Sequence, residues 1–285
     1  MPEEILPLKK LLSILNAITP FSLAEPWDNV GLMVGDPGQR VTGILIALDP
    51  TEEVITEALS NDLNIVITHH PLLFHPLKKI ERNTPLGRTL TTALCREVAI
   101  IACHTNLDVI AHGVSAAMAA RLGLKETQPL TATANPVPGK NLGFGIIGTL
   151  PTPLSSIQFV EKIFSCLSLP GIQIAGRLPE TIRTLALCGG SGSDLAESAF
   201  AMGADVYLTG EVKHSTARWA EAAGHCLIDA GHYATEQFTV PLLADLLTEA
   251  CAAEGFTVPV RTTREQSNPM HWVVSHKNKP LFVNQ

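Results

Sequence analysis

The sequence has no C-x-x-C pair: its six cysteines, Cys95, Cys103, Cys166, Cys188, Cys226 and Cys251, are scattered without framework spacing. That excludes a thiolate zinc knuckle and a disulfide-stapled scaffold, and reads as reduced thiols in a cytoplasmic protein. No apolar run reaches the length of about 18 residues that a helical membrane span needs. Positive charge is also short. With 20 Lys and Arg against 27 Asp and Glu, the formal net charge is −7, so no extended basic face is available for nucleic acid. A local positive pocket for one phosphorylated small molecule stays compatible with that balance. What the chain has in quantity is apolar residues, 46% of 285, enough for one large α/β domain or two modest lobes.

Met1 to Pro20, with acids at Glu3 and Glu4 and leucines around Lys9 and Lys10, predicts an amphipathic helix and not a signal peptide. Glu25 to Asp36 reads as a loop and hairpin with Trp27 buried. Gly43 to Leu48 is an apolar strand, followed by a helix capped by Thr51 or Asp49 and reaching about Ser60. Further helices are expected over Leu86–Glu97 and Gly113–Leu122. Lys125 to Pro138, rich in Thr, Ala, Asn and Pro, reads as a linker. Gly143 to Gly148 matches G-x-G-x-x-G, but Thr149-Leu150-Pro151 follows where a dinucleotide site needs a helix, so the match is taken as accidental. A strand over Gly145–Leu150 and a helix over Pro153–Leu167 follow. The second half repeats the β-α pattern with strands at Arg183–Cys188, Asp205–Leu208 and His225–Ile228. Gly189 to Asp194 is a glycine-rich turn suited to an anion or to starting a helix. Pro241 should restart or kink the helix over Phe238–Cys251, and a strand near Phe256–Arg261 precedes a polar tail.

Chemistry collects where strands end. The run Ile65-Val66-Ile67-Thr68 stops at His69-His70-Pro71, and Pro71 cannot continue a ladder. Two adjacent imidazoles converge only where regular pleating has ceased. Val98 to Cys103 likewise runs into His104-Thr105-Asn106-Leu107-Asp108. In open α/β sheets the ligand crevice lies outside the carboxyl ends of strands, which makes His69, His70, His104 and Asp108 candidates for one crevice. After the strand ending near Ile228 come His232 and Glu236, four residues apart and on one face of a helix. His75 and His112 read as ordinary loop and surface residues.

The segments Ala24-Glu25-Pro26-Trp27-Asp28-Asn29-Val30-Gly31-Leu32, Thr68-His69-His70-Pro71, His104 to Asp108, Thr209-Gly210-Glu211 and Gly231-His232-Tyr233-Ala234-Thr235-Glu236 together resemble the Nif-three-like family. That family is also labelled GTP cyclohydrolase 1 type 2 or dinuclear metal centre proteins. The resemblance implies two similar α/β lobes with mixed, largely parallel sheets, a toroidal homohexamer, and two divalent metals per chain at the lobe interface. It assigns His69 and His232 to one metal, His70 and Asp108 to the other, and Glu236 as the bridge. His104 matches a family histidine beside the metals. The chain lacks the length for the middle domain of longer members, and Ser267-Asn268-Pro269-Met270 has Met where the family pattern has Phe.

Imidazole with carboxylate suits Zn, Mn, Fe or Ni and not an all-oxygen calcium cage. Two such ions about 3.5–4 Å apart generate hydroxide at neutral pH, so hydrolysis is the expected reaction. His104 or His214 is the expected proton carrier, with Glu211 and Lys213 toward the substrate or orienting a ligand. The resulting expectation is a metal-dependent hydrolase of a nucleotide or related heterocycle. The alternative is a non-catalytic metal-binding scaffold or protein-interaction hexamer. The expected organisation is a first α/β lobe over 1–130, a linker and covering strand-helix element over 131–180, and a second lobe over 181–285.

Overall fold

The computed structural model describes residues 5–276 and 279–283, so Glu3 and Glu4 and the last two residues of the tail lie outside the described residues. The strands are β1 Gly31–Val34, β2 Ile44–Ala47, β3 Ile65–Thr68, β4 Ala99–Ala102, β5 Lys125–Ala132, β6 Gly143–Ser155, β7 Gln173–Ala175, β8 Thr181–Cys188, β9 Val206–Thr209, β10 Cys226–Asp229, β11 Val260–Thr262, β12 Trp272–His276 and β13 Lys279–Val283. The helices are α1 Leu8–Ile18, α2 Glu52–Ser60, α3 Pro85–Cys95, α4 Thr105–Asp108, α5 Val114–Leu122, α6 Ser156–Leu167, α7 Ala196–Ala201, α8 His214–Ala223, α9 His232–Glu236 and α10 Thr239–Ala253. They form two mixed α/β units. One comprises residues 1–107 and 238–266, the other 108–237 and 267–285. The return of 238–266 to the first unit is a feature that consecutive spans of sequence do not describe.

The first unit holds a five-stranded sheet in the order β1-β4-β3-β2-β11. The neighbours β4, β3, β2 and β11 run parallel, and β1 closes one edge antiparallel. Every residue of β2, β3 and β4 is buried, the pattern of strands covered on both faces. Leu45, Val66 and Ile100 pack with Val54, Ile55, Leu90 and Ala93 of α2 and α3. Helix α10 packs against α1, β2 and β11. Thr51 caps α2 by accepting from the Val54 amide, and Glu52 and Glu53 complement the helix dipole in its first turn. Thr84 caps α3, whose first residue is Pro85.

The second unit holds a six-stranded sheet in the order β5-β6-β8-β9-β10-β7. Its centre, β8-β9-β10, is parallel, while β5, β6 and β7 attach antiparallel. The tail adds the β12-β13 hairpin. Three local expectations change. Lys125–Ala132, read as linker, is edge strand β5; one side is exposed and an edge tolerates Pro129, so its composition mimics a loop. Strand β6 continues through Pro151 and Pro153 to Ser155, where a capping box of Ser155 and Gln158 starts α6. The G-x-G-x-x-G match lies inside β6 and builds no phosphate turn. Trp27, expected inside, is 58% exposed, and Met270 is exposed as well. Pro241 falls in the first turn of α10, where its missing amide hydrogen has no intrahelical acceptor to lose.

Candidate metal centre

In the first unit the parallel strands present polar groups at their carboxyl ends: Asp49 after β2, His69 and His70 after β3, Cys103 and His104 after β4. One ring nitrogen from each of His69, His70 and His104 lies within 4.8 Å of the others. Each imidazole is oriented from behind. Buried His69 has Nδ1 2.9 Å from the Cys103 carbonyl. A carbonyl only accepts, so the proton sits on Nδ1 and the lone pair on Nε2. His70 Nδ1 lies 2.7 Å from Asp49 Oδ1, and the Gln266 amide donates to the Asp49 carbonyl at 3.1 Å and to Oδ2 at 3.2 Å. His104 Nδ1 lies 2.9 Å from Asp28 Oδ1, while Asp28 Oδ2 accepts from the Thr105 hydroxyl at 2.5 Å and its amide at 3.0 Å.

The Asp28 side chain is 0% exposed. Burial works to raise its pKa, but the hydrogen bonds of His104 and Thr105 and the His104 charge outweigh it and bring the carboxyl down to about 2. Asp28 is therefore anionic behind His104 throughout the neutral range.

In the second unit α9 begins directly after β10, with Gly231 at φ +81 allowing the turn. His232 Nδ1 lies 2.8 Å from Glu211 Oε1, and His232 Nε2 lies 2.9 Å from Glu236 Oε2 one helical turn on. Glu236 is 4% exposed. Gly190, at φ +62, leaves room for it: a Cβ there would stand 2.1 Å from Glu236 Oε1. For Glu211, partial burial acts upward, yet the bond and charge of His232 and the Ser191 bond win, so its pKa falls below the usual carboxylate range. Asp229 braces both flanking loops, accepting from Gly231 N at 3.0 Å and Val212 N at 2.9 Å.

Asp108 ends α4 and is partly buried. Burial, then the charges of Asp108 and Glu236, push the Cys188 thiol up to about 12, so Cys188 is a protonated, buried thiol at neutral pH. His214 and Lys213 are exposed at the start of α8, Lys213 pairing with Asp194 at 2.8 Å. Neither joins a metal-holding group among the described residues. In the Gly189–Asp194 turn, Gly190 N donates to Thr235 Oγ1 at 3.0 Å and Gly192 N to Thr209 Oγ1 at 3.0 Å, so these two amides tie the turn to α9 and β9. Asp28, Asp49 and Gln266 were not picked out as functional by sequence reasoning, although Asp28 lay in a motif that drew attention; Gly190 was noted only as part of the glycine-rich turn and not for the room it leaves Glu236.

The residues fit divalent transition metals: nitrogen donors with a fixed tautomer, a buried carboxylate, and a glycine where any side chain would collide with that carboxylate. A family model described as Duf34/NIF3 (NGG1p interacting factor 3) matches residues 6–269. The chain belongs to the Duf34/NIF3 family. Its similarity to a Streptomyces coelicolor protein named GTP cyclohydrolase 1 type 2 homolog is 33% identity, covering 92% of this chain and 93% of that one. A Staphylococcus aureus hypothetical protein of solved structure is 30% identical with a TM-score of 0.87, covering 94% of this chain and 100% of that one. A Bacillus cereus protein related to NIF3 gives 25% and 0.88, covering 95% of this chain and 100% of that one. The Duf34/NIF3 fold accounts for both mixed α/β units, and no helix among the described residues is long and apolar enough to cross a membrane.

Proposed function

We propose that this Duf34/NIF3 chain is a hydrolase dependent on two divalent ions, Zn, Mn, Fe or Ni, and acting on a nucleotide or related heterocycle. In this reading His69 and His232 would hold one ion, His70 and Asp108 the second, and Glu236 would serve both. The observation that carries the reading is the treatment of Nδ1: a carbonyl faces it on His69, Asp49 faces it on His70 and Glu211 faces it on His232. Such partners fix tautomer and ring direction in metal-ligating histidines and raise their basicity. When bound, the ions supply Lewis acidity and a nucleophilic hydroxide at neutral pH.

The chain's own groups then have separable tasks. His104, its Nδ1 held by anionic Asp28, takes up a proton at Nε2 and returns it to the leaving group; Asp28 stabilises the imidazolium in between. Glu211 is a positioning residue for His232. His214 and Lys213, exposed on the same strand-end loop, meet the polar part of the substrate. The nucleotide class is supported by the name of the Streptomyces relative, and a homohexamer is part of the same proposal.

The family description, an interacting factor, favours a second reading in which a metal-loaded scaffold binds partners without turnover. One experiment separates them. Metal analysis of Zn- or Mn-saturated chain should plateau at about two ions, light scattering should give a hexamer, and a screen of nucleotides and phosphoesters should yield a product. A plateau at one ion contradicts the dinuclear assignment, and a negative screen with loaded protein supports the scaffold.

A further inference from the structure

Beside His104 the first unit carries two large rings that the proposed chemistry does not use. Trp27 is 58% exposed and Phe74 40% exposed. Their centroids are 5.8 Å apart with planes at 49°, and each stands 6.2 Å from the His104 ring. These are not loosely hung side chains. Asp28, next to Trp27, is tied to His104 and Thr105, and Asn29 Nδ2 donates to the Leu73 carbonyl beside Phe74 at 2.5 Å. Both flanks of the ring pair are thus tied down by the fold itself, so little further ordering is needed when a ligand arrives.

The segment after Phe74 continues with Lys78, Lys79 and Arg82 against the single acid Glu81, a local positive excess in a chain of net charge −7. Leu77 and Ile80 are exposed along it. A preorganised indole and phenyl, a neighbouring proton carrier and a basic loop share one chemical complement, a planar heteroaromatic base bearing phosphates.

We propose that Trp27 and Phe74 form the stacking platform for the base of a nucleotide, and that they, not the metal ligands, select an aromatic substrate. A ring laid on Trp27 at about 3.5 Å, ordinary van der Waals separation, would sit in the neighbourhood of His104, whose ring centre is 6.2 Å from the indole's. The loop Lys78–Arg82, which follows Phe74 in the chain and in which Lys79 pairs with Glu81 at 2.9 Å, is assigned to the phosphates. This rests on the nucleotide reading above and names the element that enforces it.

The test uses the full Zn-saturated chain, titrated calorimetrically with GTP and with inorganic tripolyphosphate, which carries phosphate anhydrides and no base. Trp27→Ala should weaken GTP by about 5- to 150-fold, the range for losing one base–aromatic stack, and leave tripolyphosphate unchanged. Trp27→Phe should recover most of the loss, and Phe74→Ala should show a smaller one. Since Trp27 is largely exposed, its removal leaves the fold intact, which circular dichroism checks. Equal GTP affinity in Trp27→Ala, tripolyphosphate binding as tightly as GTP, or no GTP binding at all overturns the platform. GTP bound through Trp27 but never converted leaves the platform standing and removes the hydrolase; conversion with a KM that Trp27→Ala does not move does the reverse.

Discussion

The two units present their donors in the same place and by different means. Both use the carboxyl ends of three parallel strands, yet the first offers imidazoles with the acids Asp28 and Asp49 behind them, whereas the second adds to its imidazole, His232, a buried carboxylate, Glu236, on the other ring nitrogen. Both units orient their imidazoles from behind, and the second adds a buried negative charge beside its own. Under the two-ion proposal that difference would matter, because an uncharged ligand cannot offset the repulsion of two cations and a carboxylate can.

The largest effect should therefore come from the second unit. Glu236→Gln keeps shape and removes charge, and metal titration of the apo chain should find at most one tightly bound ion; two ions held as in wild type break the contrast. Gly190→Ala, strained at φ +62 and driving a Cβ against Glu236 Oε1, should give the same defect with every ligand residue unchanged. Next, His104→Ala should lower turnover by about 10²- to 10⁴-fold with both ions retained, as for a proton carrier. Loss of an ion would move His104 into the ligand set. Asp49→Asn, which only loosens His70, should cost about 10- to 100-fold in affinity for one ion, the usual scale for an orienting partner.

Two acid responses are smaller. Asp28 has a folded pKa of about 2 against an ordinary 3.8, so its stabilisation is complete above that ordinary value and lost as pH falls toward the folded one, about 2 kcal/mol in all. Urea unfolding of Asp28→Asn should show a flatter acid limb over that window. His225 is buried, and burial lowers its pKa below 6.5, with the Asp205 charge acting upward and losing. The unfolded chain then takes the proton more readily, so stability drops as pH falls below 6.5. His225→Phe should flatten that slope; an unchanged slope would assign it to other groups.

Much of this was legible because strand ends announce themselves. The β-branched run before His69, the apolar run before His104 and the Gly231 turn before His232 each placed a site residue to within its loop. The orienting partners were not legible. Asp28 meets His104 across 76 positions and Asp49 meets His70 across 21, pairings that exist only once β1 lies against β4 and β2 against β3. Asp49 was weighed as a helix cap, a local role that Thr51 in fact fills. Edge strand β5 failed for another reason: it carries exposed polar residues and Pro129, so the burial pattern that reveals central strands is missing.

Chain order adds a consequence of its own. The first unit's sheet is finished by β11, and α10 from the same late segment packs on α1. A ribosome that has released residues 1–107 has therefore made a sheet whose β2 edge is open. It stays open while 108–237 are translated, on the order of 10 s at about 5–20 residues per second. Throughout that interval the backbone of Ile44–Ala47 and the apolar side of α1 are available to any passing strand or helix, and a nascent chain stalled near residue 237 is left holding them out to a chaperone.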